Sequence, residues 1–194
     1  MGEENYSLSH KNMTKLKGKK IIFIDMDGTL IKPLQGRVFP KCISDFSVIW
    51  NTWNSLRNWA KDLIDSKEYG WVFIVTNQGG IESGHGSKKY YLEAKLNFIK
   101  LALQEYLDMN MSWVTVDYTY CSSNDKNDYY RKPNPGMLEV LARKYSVNSR
   151  NKSEMIMIGD ASGIHNEARN DFSDSDLKVA ENYNIDYLDY NELC

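Results

Sequence analysis

The stretch Ile21-Ile22-Phe23-Ile24-Asp25-Met26-Asp27-Gly28-Thr29-Leu30 decides how the rest of the chain is read. Its continuous apolar run, rich in β-branched residues, predicts a strand buried on both faces. The run ends in two aspartates separated by a single residue. Alternate side chains of an extended backbone point the same way, so Asp25 and Asp27 can converge on one spot. Carboxylates crowded in this manner repel unless a cation or a shared proton relieves them. Asp-Gly is also a common turn pair, which accounts for Gly28 but not for paired acids at a strand end.

Working outward, Trp71 to Val75 is a second buried strand, and Val114 to Tyr120 alternates like a strand nearer a sheet edge. Met155 to Ile158 is a fourth, and Ile185 to Leu188 a short fifth. Helical periodicity lies between them. Ile49, Trp53, Leu56, Trp59, Ala60, Leu63 and Ile64 share one face, and Tyr91, Leu92, Leu96, Ile99, Leu103, Tyr106 and Leu107 share another. Pro135, followed by Met137, Leu138, Leu141 and Tyr145, predicts a helix with proline near its start. Trp50, Trp53 and Trp59 recur at helical spacing and read most simply as core, with base stacking the alternative. Strands alternating with helices imply a doubly wound α/β fold with a mostly parallel central sheet and helices on both faces. Ligands of such sheets sit at the carboxyl ends of the strands.

Those ends carry complementary chemistry. Thr76-Asn77-Gln78-Gly79-Gly80 follows the second strand, and its hydroxyl, amides and open backbone suit a phosphate. Tyr130-Arg131-Lys132-Pro133 follows the third, and Gly159-Asp160 the fourth, with Asp171, Asp174 and Asp176 downstream. Each segment alone has an ordinary reading as a loop, a solvated lysine or an acidic helix start. Together they offer two carboxylates for nucleophilic and proton chemistry, a hydroxyl, an ammonium and a further carboxylate for a metal.

The ordered set resembles the haloacid dehalogenase superfamily. Asp25 to Leu30 is similar to its first motif, Thr76 to Gly80 to its second, Lys132 to its third and Gly159-Asp160 to its fourth. Several stretches narrow the resemblance to the 3'-phosphatase domain of polynucleotide kinase/phosphatase enzymes. They are Gly36 to Pro40 (GRVFP), Ser44 to Phe46 (SDF), Tyr130 to Met137 (YRKPNPGM), Gly159 to Gly163 (GDASG) and Asp171 to Asn182 (DFSDSDLKVAEN). The resemblance spans nearly everything from Lys19 onward. It implies a phosphomonoesterase that removes 3'-phosphates from DNA ends through an aspartyl-phosphate on Asp25, with Asp27 as acid and base. Mg2+ would be held by Asp25, the Asp27 carbonyl and Asp160, because hard oxygen ligands suit it. Thr76 and Lys132 would hold the phosphate. Asn77, Gln78, Arg131, Arg37 and Arg169 would contact the substrate, the arginines through its backbone phosphates. Asp171 would orient Lys132 or a metal-bound water; His165 reads most simply as a surface residue, with lining the groove the alternative.

The first gap between motifs is filled by the tryptophan-bearing helix and the second by the long helix and third strand, so no large cap domain is expected and a polymer end could enter. No phosphate-binding loop of the G-x-x-x-x-G-K-[ST] form is present; Gly84 to Lys88 does not fit that spacing. The expected organisation is a flexible polar tail over residues 1–18 and a single phosphatase domain over 19–194, standing alone. The residues name no kinase or ligase partner.

Composition sets outer limits. Hydrophobic residues make up 42% of the 194 and charged residues 26%, which excludes disorder throughout. The net charge of -2 is low for a protein that coats nucleic acid without specificity. No apolar run approaches a membrane span, no secretory leader opens the chain, and three scattered cysteines make no disulfide framework. An intracellular protein, cytoplasmic or nuclear, is expected. Two alternatives stay open. One is a small-molecule phosphatase of the same superfamily, of the histidinol-phosphate or heptose-bisphosphate type; the Cys/His zinc loop many of these carry is missing, since Cys121 to Tyr130 holds one cysteine and no histidine. The other is a non-catalytic module that binds nucleic-acid ends.

Overall fold

The computed structural model describes residues 15–34, 45–84, 88–108, 113–165 and 171–193. In chain order the strands are β1 (Ile21–Ile24), β2 (Ile31–Pro33), β3 (Phe46–Val48), β4 (Gly70–Asn77), β5 (Val114–Cys121), β6 (Met155–Gly159) and β7 (Asp186–Asp189). The helices are α1 (Trp50–Asp65), α2 (Lys89–Leu107), α3 (Gly136–Lys144) and α4 (Ser175–Tyr183). Five strands form one parallel sheet in the order β5-β4-β1-β6-β7.

Strand β1 is the centre, and all four of its residues are fully buried. The period of two divides its side chains between two cores. Ile22 and Ile24 join Val72, Ile74, Val116 and Ile158 beneath α1 and α2. Ile21 and Phe23 join Phe73, Val75, Met155 and Met157 beneath α3 and α4. Helices thus cover both faces, as the alternation of elements requires. The chain runs outward from β1 through β4 to β5, then returns to lay β6 and β7 on the other side of β1. The order reverses between β1 and β6, which places a crevice at their carboxyl ends.

Several expectations need adjustment. Leu16, inside the stretch read as tail, is buried in the core with α1 and α2, so packing begins before residue 19. Trp53 and Trp59 are core, and their indole N–H groups donate to the Leu30 and Lys19 carbonyls at 3.0 and 2.8 Å. Trp50 is not core: it is 59% exposed and lies across Trp53 and Tyr106. The antiparallel β2–β3 pair had no signal, because its strands are three residues long and one ends in proline. Helix α4 was hidden because an aspartate, Asp176, shares its buried face with Val179 and Ala180. Among the described residues, no helix is long and apolar enough to cross a membrane.

Edge strand β5 carries Asp117, a buried acid that ties the two helical layers together. Its oxygens accept from Lys100 on α2 at 2.9 Å, from Lys144 on α3 at 2.6 Å and from the Tyr145 hydroxyl at 2.8 Å. Burial alone would raise its pKa, but these donors outweigh burial and bring it down to about 2. A carboxylate with a depressed folded-state pKa stabilises the fold above its unfolded value, and that contribution is lost as pH falls toward the folded value. Asp117→Asn is expected to cost about 1–2 kcal/mol in urea unfolding at neutral pH, less than the full shift because both lysines reach solvent. The gap to the parent protein should narrow as pH falls from 3.8 toward about 2.

Candidate active site

The crevice between β1 and β6 gathers the residues singled out above. Asp25 extends β1 by one ladder bond, its N–H donating to the Ile158 carbonyl at 2.9 Å, and it is buried. The chain then turns, with the Gly28 N–H donating to the Ile31 carbonyl at 2.8 Å. Gly28 has φ +89, and a Cβ there would lie 2.1 Å from Oδ2 of Asp160. Glycine is required twice over, by the positive φ and by the approach of the β6 carboxylate to the turn.

Lys132 is buried at the centre. Its Nζ donates to Asp25 Oδ1 and to Asp176 Oδ1, each at 2.6 Å. Asp176 is held in turn by Ala161, whose N–H donates to Oδ2 at 3.2 Å. Gly159 makes room for it, since a Cβ at that position would lie 2.2 Å from the same oxygen. Asp171, expected to orient Lys132 or a metal-bound water, has partners in the loop after β6. It accepts from the Ser162 N–H, the Ser162 hydroxyl and the Ile164 N–H, so it shapes the loop after β6. Asp176 holds Lys132 instead. Only the helical register of α4, which puts residue 176 on the same face as Val179 and Ala180, could have signalled this.

Asn77 and Gln78, expected to touch substrate, are committed to protein groups. The Asn77 amide donates to the Lys132 carbonyl and accepts from the Lys132 N–H, both at 2.9 Å, and so fixes the backbone that carries the ammonium. Gln78 Nε2 donates to Asp27 Oδ2 at 2.7 Å and to the buried Thr76 hydroxyl at 2.9 Å. Arg131 donates to the Ser123 carbonyl at 2.8 Å and braces the loop after β5. His165 is exposed at the end of the loop after β6. Arg37 and Arg169 lie outside the described residues.

The electrostatics are those of crowded acids. Carboxylate oxygens of Asp25, Asp160 and Asp176 all lie within 4.8 Å of one another. Burial raises the Asp25 pKa well above the ordinary value; Lys132 opposes it, and Asp176 and Asp160 add to it. Burial and Asp176 push Asp160 up to about 6. Burial would lower the Lys132 pKa, but Asp176 and Asp25 overcome it and hold the ammonium above its usual range. One ammonium does not balance three acids, so the cluster fits a hard divalent cation. Asp25, Asp160 and Asp176 are the acids that could hold such an ion, and Lys132 lies against both Asp25 and Asp176. Of the expected metal ligands, the structure brings Asp25 and Asp160 together, and Asp27 supplies the turn between them.

The family model for polynucleotide kinase 3 phosphatase matches residues 20–193. A polynucleotide 3'-phosphatase of Saccharomyces cerevisiae is 27% identical, over 88% of this chain and 85% of its own. A bifunctional polynucleotide phosphatase/kinase of Schizosaccharomyces pombe is 32% identical over 88% of this chain, but only 36% of its own length. A D-glycero-alpha-D-manno-heptose-1,7-bisphosphate 7-phosphatase of Photorhabdus laumondii is 30% identical over 75% of each chain.

Removing the central ammonium leaves Asp25 and Asp176 buried and uncompensated. Lys132→Met is therefore expected to destabilise the protein by about 3–5 kcal/mol in urea unfolding. Adding Asp176→Asn to it should restore part of that loss, the coupling that a double-mutant cycle reads.

Proposed function

Given that the chain belongs to the polynucleotide kinase 3 phosphatase family of haloacid dehalogenase-type phosphatases, we propose that it hydrolyses 3'-phosphate monoesters at DNA ends. The observation that carries the reading is the arrangement of two acids on one turn. Asp25 is anchored by Lys132 at 2.6 Å, and Asp27, two residues on, is oriented by Gln78 at 2.7 Å.

The proposed chemistry uses each residue for what its surroundings allow. A carboxylate oxygen of Asp25 attacks phosphorus, the P–O bond to the sugar oxygen breaks, and the Asp27 carboxyl gives its proton to that oxygen. Water then attacks the aspartyl-phosphate, Asp27 takes its proton back from the water, and inorganic phosphate leaves with Asp25 regenerated. Lys132 keeps Asp25 in line and offsets the charge that builds in transfer. The Thr76 hydroxyl, which accepts from Gln78, binds a phosphate oxygen in this reading. Mg2+ would be held by Asp25, Asp160 and the Asp27 carbonyl, and when bound would neutralise phosphate charge as a Lewis acid.

The DNA substrate is supported by the matched family and by motifs spread along the chain, while the likeness to a heptose-bisphosphate phosphatase supports a second reading, a small sugar phosphate. The test compares kcat/KM for matched oligonucleotides phosphorylated at the 3' or the 5' end, and for a heptose bisphosphate, at two salt concentrations. Preference for the 3' end by more than about tenfold is expected, with affinity falling as salt rises because the contacts would be to phosphates. Comparable rates at both ends, or a strong preference for the sugar phosphate, would favour the second reading.

Two further outcomes follow from the acids. Asp25→Asn should abolish turnover with circular dichroism unchanged, because an amide of the same shape is a poor nucleophile. Mg2+ binding, followed by calorimetry, should weaken as pH falls through about 6, where Asp160 gains its proton. The loss should approach about tenfold per pH unit below that point, since a ligand must be deprotonated to bind.

A further inference from the structure

Helix α2 places a lysine on its apolar stripe. Leu92, Lys95, Leu96, Ile99, Leu103 and Leu107 are its buried residues, and Lys95 is only 1% exposed. An ammonium in that position costs several kcal/mol of desolvation unless charged or polar groups answer it. Solubility is no explanation, since the side chain does not reach water.

One group that answers it belongs to the turn after β1. Lys95 Nζ lies 3.8 Å from Oδ1 of Asp27. That oxygen is buried and has no hydrogen bond, whereas Oδ2 of the same carboxyl accepts from Gln78. The two oxygens are therefore held from different elements: Oδ2 by an amide from the end of β4, and Oδ1 by an ammonium from α2. The 3.8 Å separation is that of an ion pair and is too long for a hydrogen bond.

We infer that Lys95 is a positioning residue for Asp27: it and Gln78 clamp the two oxygens of the carboxyl that hands its proton to the leaving group. The inference rests on Asp27 acting as that acid. When the proton passes to the sugar oxygen as its bond to phosphorus breaks, the carboxylate left behind faces a fixed positive charge, and the clamp keeps it aimed for its return as base. The influence of Lys95 on the reaction passes through Asp27.

The test uses Lys95→Met, which keeps length and removes charge on a stripe that accepts an apolar side chain. Lys95→Gln is the second variant should the first unfold. Each is measured on a 3'-phosphorylated oligonucleotide, whose leaving alcohol needs a proton, and on p-nitrophenyl phosphate, whose phenol does not. The expected result is a fall in kcat of about tenfold or more on the oligonucleotide, with little change in KM and less than about threefold change on the aryl ester. In an Asp27→Asn background the same substitution should have no further effect on either substrate. Equal losses on both substrates, no loss on either, or a full loss persisting in the Asp27→Asn background would overturn the role of Lys95. Asp27→Asn alone separates this from failure of the underlying reading: equal losses on both substrates from that single change would remove Asp27 from the acid role, and Lys95 with it.

Discussion

The ammonium of Lys132 between the carboxylates of Asp25 and Asp176 is the contact on which the site depends. Three buried charges meet there with both separations at 2.6 Å. Such a cluster is tolerable only when geometry and further hydrogen bonds satisfy every member. The surrounding structure meets that demand from three directions. Asn77, at the end of β4, holds both backbone polar groups of Lys132. The Ala161 N–H holds the second oxygen of Asp176, and the Asp176 and Leu177 N–H groups donate to the Ala161 carbonyl, which fixes the start of α4 against the end of β6. The last ladder bond of β1 holds Asp25. No one element makes the site; the sheet makes it by ending three strands at one level.

The sheet can do so because its central strand is apolar on both sides. The four residues of β1 divide evenly between the two cores, and every helix packs against one or the other. The first polar residues after that strand emerge where the strand order reverses. Chemistry collects at this point in folds of this kind. Gly28 and Gly159 are the local condition for the crowding, since a side chain at either would occupy the space of an acid from another element.

This division explains what could be read beforehand. The central strands and α1 to α3 were legible because their burial is periodic and apolar. Asp25, Asp27, Thr76, Lys132 and Asp160 stood out because complementary polar groups follow four strands in chain order, although each segment alone has an ordinary reading. What was hidden lay where polarity and burial disagree. Asp176 reads as an acidic helix start, yet it is buried and holds Lys132. Lys95 is absent from the apolar face read in the sequence, yet it lies on the core stripe. Asn77 and Gln78 were recognisable as polar residues at a strand end, but their partners, Lys132 and Asp27, come from distant segments that only the assembled sheet brings near. Trp50 erred in the opposite direction: it keeps the helical spacing of its neighbours but stands at the first residue of α1, where the core no longer covers it.

The same logic separates chemistry from selection. The proposed machinery, a carboxylate nucleophile, an acid two residues on, a lysine and a hydroxyl, would treat every phosphomonoester alike, because the group acted on is the same whichever alcohol leaves. Relatives named for a polynucleotide and for a heptose bisphosphate are accordingly about equally similar to this chain. Residues that tell one alcohol from another must lie beyond the strand ends, where the leaving group extends. The exposed ring pair Tyr129 and Tyr130 stands immediately before Arg131 and Lys132 in the chain. Rings there can change without disturbing any hydrogen bond to Lys132, since its anchors come from Asn77, Asp25 and Asp176. The buried charge cluster therefore holds Lys132, Asp25 and Asp176 in place without drawing on the exposed rings beside it.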